Sequence, residues 1–339
     1  MKIAITGFGR IGRQLTRLFF NNKNMFPHLE LVAINDVGKH EISEQLFNFD
    51  SLHGPFSKEV NFSENEYVID GQSITRLNNK NPLELNWKSL GVDLVLECTG
   101  YFRTHEKASQ HIKAGASKVL ISAPSPDPDL MVVYGINHKL YDSDKHNILS
   151  SASCTTNCLT PIVQVLNKSF GIEKGLITTI HSYTSDQKLL DNSHKDPRRA
   201  RAAAINMVPT TTGAAKAVGR IIPELDGKLD GLAVRVPTPN VSLTDFVAEL
   251  KTEVTTQEIN SALKKAADTD LKNILKVHTG DPVSSDLIGD INSSIVDSKL
   301  TRVLGNEDKG NMVKVLSWYD NEAGFSCRML DFAEFIAAQ

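Results

Sequence analysis

The chain has 339 residues, of which 40% are apolar and 23% are charged. That length predicts two domains, and the composition excludes an intrinsically disordered protein. Because 37 lysines and arginines stand against 40 aspartates and glutamates, the formal net charge is −3, and we expect neither nucleic acid nor a membrane as a partner.

The N-terminal segment and the cysteines predict a cytoplasmic protein. The first apolar stretch reaches glycines before the core of a signal peptide could form, and no apolar run approaches the ~18 residues of a membrane span. Cysteines are too few in this chain for a disulfide framework, so we expect reduced thiols at Cys98, Cys154, Cys158 and Cys327.

The first 120 residues alternate short apolar runs with amphipathic stretches. Strands are predicted at residues 2–6, 29–34, 92–97 and 118–122, and a helix follows the first of them. Strands that alternate with helices imply an α/β domain with a parallel, doubly wound sheet.

The second half of the chain has longer predicted strands, at residues 176–182, 232–237 and 241–250. Residues 185–201 between them are polar and basic, and predict a long loop of the kind that is functional or contacts a partner. Apolar residues at helical spacing after Phe325 predict an amphipathic C-terminal helix. We therefore expect a second α+β domain with a mixed or antiparallel sheet.

A glycine pattern, Gly7-x-Gly9-x-x-Gly12, follows the first strand and opens the first helix. In this context the glycines permit a tight turn and a close approach of the backbone to a pyrophosphate, and the helix N-terminus attracts the phosphates. Asp36 ends the second strand, where a carboxylate can accept hydrogen bonds from the ribose. A glycine-rich turn without a ligand is the alternative, but strand, glycines, helix and acid together favour dinucleotide binding.

Cys154 lies among hydroxyl and amide side chains in the segment 150–158. A thiol beside a helix N-terminus or an imidazolium becomes a nucleophile, but free cysteines are also common core residues, and this segment alone does not decide between the two. The start of the next helix also stays open, since Thr160-Pro161 could be its N-cap and first residue.

Other residues could serve such a thiol. His181 ends a predicted strand and could be the base that a nucleophile needs, although a single histidine is more often structural. Arg235 lies in an apolar strand, where a guanidinium needs an anion or a carboxylate. Residues 210–213 add hydroxyls and a glycine before a helix, whereas the arginines at 198–201 could be a solvated surface. We find no metal-ligand spacing.

Four motifs resemble phosphorylating glyceraldehyde-3-phosphate dehydrogenases and follow that family's order along essentially the whole chain. They are Gly7-Phe8-Gly9-Arg10-Ile11-Gly12-Arg13, Ala152-Ser153-Cys154-Thr155-Thr156-Asn157-Cys158, Thr210-Thr211-Thr212-Gly213-Ala214-Ala215-Lys216-Ala217 and Trp318-Tyr319-Asp320-Asn321-Glu322. The resemblance implies a Rossmann-type dinucleotide-binding domain over residues 1–153 and a catalytic and oligomerisation domain over 154–319. It also implies that a helix over 320–339 packs back on the first domain.

The same resemblance implies the reaction. D-Glyceraldehyde 3-phosphate would be oxidised to 1,3-bisphosphoglycerate with reduction of NAD(P), in glycolysis or gluconeogenesis. Cys154, at a helix N-terminus, would attack the aldehyde carbon while His181 acts as general base, and inorganic phosphate would cleave the resulting thioester. The loop at 185–201 resembles a segment that packs between subunits, which implies a homotetramer.

Position by position, the resemblance also assigns binding residues. The substrate phosphate would be bound by Thr184 and Arg235. The attacking phosphate would be bound by Ser153, Thr155, Thr212 and Gly213, with Arg201 near both anions. The cofactor would be bound by Gly7, Gly9, Arg10, Ile11, Gly12, Asp36, Lys80, Thr99, Ser122 and Asn321.

The chain departs from the family pattern at positions that bear on the cofactor. Lys80-Asn81 replaces a common Arg-Asp, and Asn192-Ser193 replaces the Leu-Pro of relatives that use NAD strictly. Ser193 and Gly38 resemble relatives that accept NADP, whereas the Asp36 carboxylate would repel a 2′-phosphate by about 1–4 kcal/mol. We predict that NAD is used and that NADP is not excluded.

Two other functions compete with this one. Erythrose-4-phosphate dehydrogenases share the thiol chemistry but depart at the substrate-phosphate threonine and the Thr-Thr-Gly segment, and both features are intact here. A non-catalytic nucleotide-binding protein that acts through interactions would be expected to lose the cysteine–histidine pair or an anion site. Neither loss is seen, and the triose phosphate is the predicted substrate.

Overall fold

The structure, a computed structural model, describes residues 1–306 and 309–339. The chain divides into two compact units: residues 1–153 with 326–339, and residues 154–325. In the described part of the chain, no helix is long and apolar enough to cross a membrane.

The first unit is built on a nine-stranded sheet of described residues, in the order β10-β11-β9-β8-β1-β2-β7-β6-β5. Its strands are β1 (Lys2–Thr6), β2 (Glu30–Asn35), β5 (Val60–Phe62), β6 (Glu66–Ile69), β7 (Gln72–Leu77), β8 (Leu94–Glu97), β9 (Lys118–Ile121), β10 (Leu130–Met131) and β11 (Ile148–Ser150); β3 (Phe49–Asp50) and β4 (Gly54–Pro55) pair separately. The helices that begin in this unit are α1 (Arg10–Asn21), α2 (His40–Asn48), α3 (Trp87–Leu90) and α4 (His105–Lys113).

All pairs from β10 to β7 are parallel, which confirms the predicted parallel sheet. The edge formed by β7, β6 and β5 is antiparallel and was not predicted. The two-residue turn between β6 and β7 is Asp70-Gly71, and both residues have positive φ, of 52° and 74°. Asp-Gly is the residue pair that such a hairpin turn prefers, so this edge carries a sequence signal of its own.

The second unit has an eight-stranded mixed sheet of described residues, in the order β13-β14-β12-β15-β19-β17-β16, with β18 also paired to β19. Its strands are β12 (Ile172–Ser182), β13 (Val208–Thr211), β14 (Leu229–Val236), β15 (Ser242–Thr255), β16 (Leu275–His278), β17 (Ser294–Asp297), β18 (Arg302–Asn306) and β19 (Lys309–Tyr319). Its helices are α5 (Cys154–Phe170), α6 (Ala214–Ile221) and α7 (Thr256–Asp268).

The predicted α+β domain with a mixed sheet is confirmed, although its strands are longer than the sequence predicts. The central β15 alternates buried and partly exposed residues, as a strand with one face on a core does. Residues 185–201 contain no helix or extended strand; Lys188 forms an isolated β-bridge with Ala202, and side chains of the loop bond to β13. The neighbours β12 and β14 are parallel, and this pairing positions the candidate site.

The C-terminal helix α8 (Ala323–Ala337) begins after Asp320, whose Oδ1 accepts hydrogen bonds from the N–H groups of Glu322 and Ala323 at 2.8 Å. Residues 326–339 belong to the first unit. There the Phe332 ring packs edge-on against Tyr141, with ring centres 5.8 Å apart.

Candidate active site

The glycine loop of the first unit is shaped by close backbone contacts. Gly7 has φ +89°, and a Cβ there would lie 2.7 Å from the Thr99 nitrogen; at Gly12 it would lie 2.1 Å from the Gly7 oxygen. At Gly9 nothing lies within 4 Å of the position that a Cβ would take. Since α1 begins at the next residue, Arg10, its first N–H groups face this open space, which fits a pyrophosphate.

Four other predicted cofactor residues follow the carboxyl ends of parallel strands of the same sheet. Asp36 directly follows β2, Thr99 follows β8, and Ser122 follows β9. Lys80 is exposed beyond β7, next to Asn79, whose backbone exchanges hydrogen bonds with the Asn35 side chain. Because parallel strands end at one edge, these residues line the edge where such folds bind ligands.

Arg10, a predicted cofactor residue, binds Asp50 through two hydrogen bonds, of 2.9 and 3.2 Å. Burial alone would raise the pKa of Asp50, but the Arg10 guanidinium and two backbone N–H groups lower it to about 2. The neighbouring Ile11 lies in the first turn of α1.

In the second unit, Cys154 and His181 form a thiol–imidazole pair. Cys154 is the first residue of the 17-residue helix α5, so the helix does not begin at Thr160, and Pro161 lies inside it. His181 is the second-last residue of β12, and its Nε2 lies 3.5 Å from the Cys154 sulfur. A helix N-terminus stabilises a thiolate at this position.

The hydrogen bonds of His181 fix its tautomer. Nδ1 lies 2.7 Å from the Ser182 carbonyl oxygen, which can only accept a proton. Arg235, opposite His181 in the β12–β14 register, places NH1 3.1 Å from Nδ1 and donates to the same carbonyl at 3.0 Å. We assign the proton to Nδ1 because the Ser182 carbonyl can only accept; Arg235 NH1 then donates to that carbonyl and not to Nδ1, and the lone pair of Nε2 faces the thiol.

Burial and this cation set the charge states of the pair. Burial, reinforced by Arg235, lowers the pKa of His181 to about 3, so the imidazole is neutral near neutral pH. Desolvation raises the pKa of the Cys154 thiol, while Arg235 and hydrogen bonds from Thr155 lower it. The pair is therefore a thiol beside a neutral base, with a cation positioned to favour the thiolate once the proton moves.

Tyr319 is a buried residue of the fourth motif to which the sequence analysis assigned no role. Its hydroxyl lies 2.9 Å from Thr155 Oγ1 and 2.8 Å from Thr179 Oγ1, and its ring stands edge-on to His181 at 5.9 Å between ring centres. Burial and the two nearby thiols raise the pKa of Tyr319, so it stays protonated. The tyrosine thereby connects the start of α5 to β12 and supports both members of the pair.

The structure brings together only some of the predicted anion-binding residues. Arg235 NH1 lies 3.3 Å from Thr184 Oγ1, and Arg235 Nε is buried without a hydrogen-bond partner in the described part of the chain. Arg201 instead pairs with Asp191, and both side chains are 60% exposed. Thr212 and Gly213 immediately precede α6, and Ser153 immediately precedes α5.

Arg199, for which the sequence suggests a solvated surface position, instead contacts residues 210–211, next to the predicted sites of the attacking phosphate. Its Nε donates to Thr210 Oγ1 at 2.9 Å and its NH2 to the Thr211 carbonyl at 3.3 Å, while Asp186 accepts from NH1 at 2.6 Å. No spacing in the sequence distinguishes Arg199 from its neighbours, because the contact depends on how the loop folds back on β13.

Asn321 has one end of its amide fixed. Its Oδ1 accepts from the hydroxyls of Ser182 at 2.8 Å and Ser242 at 2.9 Å. For its Nδ2 donors the described residues provide no partner, so they are available to a carbonyl-bearing ligand.

Cys158 shows the other behaviour of a cysteine. It is fully buried one turn after Cys154 and contacts Ser294, Ser317 and Thr244 at 3.6–3.9 Å. Burial raises its pKa to about 11. Cys158 is therefore a core thiol.

Comparisons with known proteins identify the family. Residues 1–105 match the NAD binding domain of glyceraldehyde 3-phosphate dehydrogenase, and residues 153–321 match its C-terminal domain. Over 339 residues the chain is 51% identical to the glyceraldehyde-3-phosphate dehydrogenase of Priestia megaterium, covering 100% of this chain and 99% of that one. It is 50% identical to glyceraldehyde-3-phosphate dehydrogenase 1 of Bacillus subtilis, over 99% and 98% of the two chains.

The Geobacillus stearothermophilus enzyme of the same name is 49% identical, over 100% of this chain and 99% of its own. The predicted resemblance, its NAD-dependent enzyme class and its NAD cofactor are confirmed by these matches. The chain therefore belongs to the glyceraldehyde-3-phosphate dehydrogenase family.

Proposed function

We propose that the chain oxidises D-glyceraldehyde 3-phosphate with NAD and inorganic phosphate to 1,3-bisphosphoglycerate, with Cys154 as nucleophile. The observation that carries this proposal is the Sγ–Nε2 distance of 3.5 Å, with Nδ1 engaged by a carbonyl. A nucleophile, a base within reach and a group that orients the base are the arrangement that covalent catalysis needs.

The residues perform the following steps. The Cys154 sulfur attacks the aldehyde carbon, the thiol proton moves to His181 Nε2, and the oxyanion of a hemithioacetal forms. Loss of a hydride from this carbon would leave a thioester, and accepting that hydride is the chemistry that NAD would supply when held by the cofactor residues named below. A phosphate oxygen then attacks the acyl carbon, the carbon–sulfur bond breaks, and Arg235 favours the departing thiolate.

Two sets of residues would bind the anions. Arg235, with its unpartnered Nε, and Thr184 suit the substrate phosphate. For the attacking phosphate we propose Ser153, Thr155, Thr212, Gly213 and Arg201, as predicted, and add Arg199 because of its contacts with Thr210 and Thr211.

The cofactor would be bound by the glycine loop with Arg10 and Ile11, by Asp36 at the ribose, by Lys80, Thr99 and Ser122 at the sheet edge, and by Asn321. The open space at Gly9 and the free amide donors of Asn321 support this assignment. Both are donor-rich positions that suit phosphate oxygens and a carboxamide oxygen, respectively.

The test is the rate of NADH formation with glyceraldehyde 3-phosphate, with and without phosphate, and with NADP or erythrose 4-phosphate in parallel. The proposal predicts multiple turnovers only when phosphate is present, and a preference for the triose phosphate. Turnover that does not depend on phosphate, or activity with the tetrose phosphate alone, would contradict it.

We also propose a homotetramer in the cytoplasm. Apolar side chains in and after the 185–201 loop are unusually exposed, among them Leu189 (82%), Ile205 (80%) and Met207 (74%), which supports association through this segment. The described cysteines are free, as a thiol enzyme in a reducing compartment requires. Native mass spectrometry tests the assembly: a monomer at micromolar concentration would contradict it.

A further inference from the structure

The carboxylate of Asp36 is bound by three donors of its own unit. Oδ2 accepts from the Tyr67 hydroxyl at 2.7 Å and from the Ser43 hydroxyl, and Oδ1 accepts from the Gly38 N–H at 2.9 Å. A carboxylate has about four acceptor positions, so one position on Oδ1 remains for a ligand among the described residues. With Asp36 only 6% exposed, its side chain cannot simply swing into solvent.

Tyr67 is itself held firmly. It is fully buried, and its ring stacks on Phe62 with centres 3.8 Å apart and planes 10° from parallel. Burial and the Asp36 carboxylate raise the pKa of Tyr67, so its hydroxyl stays a donor. If the carboxylate turned away, this buried hydroxyl would lose its acceptor.

Arg76 contacts both the Tyr67 hydroxyl and the backbone of the turn that follows β2. Its Nε donates to the Tyr67 hydroxyl at 3.1 Å, and its NH2 donates to the carbonyls of Asp36 at 3.1 Å and Gly38 at 2.6 Å. Arg76 as a whole is 6% exposed. These donors are therefore engaged with the Tyr67 hydroxyl and the backbone, and are not offered to a phosphate on the cofactor.

This arrangement also explains the glycine at position 38. A Cβ there would lie 3.1 Å from Asp36 Oδ1 and 3.4 Å from Ser43 Oγ. A side chain at this position would press on the carboxylate and on the Ser43 hydroxyl, so the glycine suits the packing around Asp36. The same residue had suggested acceptance of NADP in the sequence analysis, and the structure gives it this other role.

We propose that Tyr67, Ser43 and Arg76 are positioning residues that hold Asp36 for the 2′-hydroxyl of NAD and exclude NADP. The proposal rests on the proposed role of Asp36 at the ribose. A 2′-phosphate would be repelled by a carboxylate that cannot rotate away without leaving the buried hydroxyl donors unpaired. A 2′-hydroxyl, in contrast, can donate to the one remaining acceptor position of Asp36.

Tyr67→Phe tests this because it removes the hydroxyl and keeps the ring. We expect the KM for NAD to rise about 3- to 10-fold, kcat to stay within about twofold, and the ratio of kcat/KM for NAD over NADP to fall about tenfold. Ser43→Ala should shift the ratio in the same direction. Tyr141→Phe is the matched control, since the buried Tyr141 hydroxyl has no hydrogen-bond partner among the described residues.

Binding of NAD that lacks the 2′-hydroxyl of its adenosine ribose (2′-deoxy-NAD) shows whether Tyr67 acts by positioning Asp36 or only by stabilising the fold. It should be equally tight in the wild type and in Tyr67→Phe, because the hydroxyl through which Tyr67 would act is absent. Equal losses for NAD, NADP and 2′-deoxy-NAD, or an unchanged NAD/NADP ratio, would overturn the proposal.

Asp36→Ala distinguishes this failure from failure of the underlying assignment. If Asp36→Ala lowers the NAD/NADP ratio while Tyr67→Phe and Ser43→Ala do not, the carboxylate binds the ribose and only its positioning by these residues is refuted. If Asp36→Ala also leaves the ratio unchanged, the ribose assignment itself fails and the proposal with it.

Discussion

Replacing Arg235 with leucine removes the cation that lies beside His181 and that we propose for the substrate phosphate. Its NH1 lies 3.3 Å from Thr184 Oγ1, and its Nε is buried without a partner. A hydrogen bond to a charged group contributes about 1.5–3 kcal/mol, and each 1.4 kcal/mol is about tenfold in affinity. We therefore expect the KM for glyceraldehyde 3-phosphate to rise about 10- to 150-fold.

The same variant should change the pH dependence. Burial and Arg235 lower the pKa of His181 to about 3, and a general base must be neutral to act. Without the cation the pKa of His181 rises, so the fall of kcat at acidic pH should move to higher pH. Arg235 also lowers the pKa of the Cys154 thiol, so the pH midpoint of its alkylation should rise in the variant.

Steady-state kinetics across pH and the rate of iodoacetamide labelling measure both effects. Arg302→Leu is the control, since Arg302 is exposed on β18 and donates only to nearby carbonyls among its described contacts. A KM within twofold of wild type together with an unmoved acidic limb would refute the assignment of Arg235.

Further substitutions test the rest of the site. His181→Asn should lower kcat about 10²–10⁴-fold with little change in KM, and a loss below tenfold in steady-state assays would exclude it as the base. Cys158→Ala should retain activity and lose about 1 kcal/mol of unfolding free energy in urea titrations, whereas an inactive but folded variant would contradict its core role. Tyr319→Phe should lower the unfolding free energy by about 1–3 kcal/mol, because two buried hydroxyls lose a partner; an unchanged urea midpoint would argue against those contacts. Arg199→Leu should raise the KM for phosphate more than Arg201→Leu does, and the reverse order would restore Arg201 as the dominant cation.

The sequence predicts the core of the fold for two reasons. The central strands are apolar, and glycines mark the positions where the backbone turns tightly. The parallel strands and the turn at Gly7 follow from such local patterns. The antiparallel edge is not predicted, because β5 and β6 are short and partly polar. Its one clear signal is the Asp70-Gly71 turn. The strands β12 and β15 were predicted too short because their ends carry charged residues.

The site divides in a similar way. Cys154 and His181 were predicted from a motif and from a strand end, and the structure places them within contact. Tyr319, Arg199 and the bonds around Asp36 were not predicted, because each depends on which residues far apart in the chain come together. Tyr67, for instance, lies 31 positions from Asp36 on a different strand.

Trapping the acyl-enzyme tests the central claim most directly. The chain would be mixed with glyceraldehyde 3-phosphate and NAD in the absence of phosphate, quenched in acid, and examined by intact and peptide mass spectrometry. We predict one phosphoglyceroyl group per chain on Cys154, its release when phosphate is added, and no adduct in Cys154→Ser. An adduct on another residue, or turnover that persists in Cys154→Ser, would contradict the mechanism.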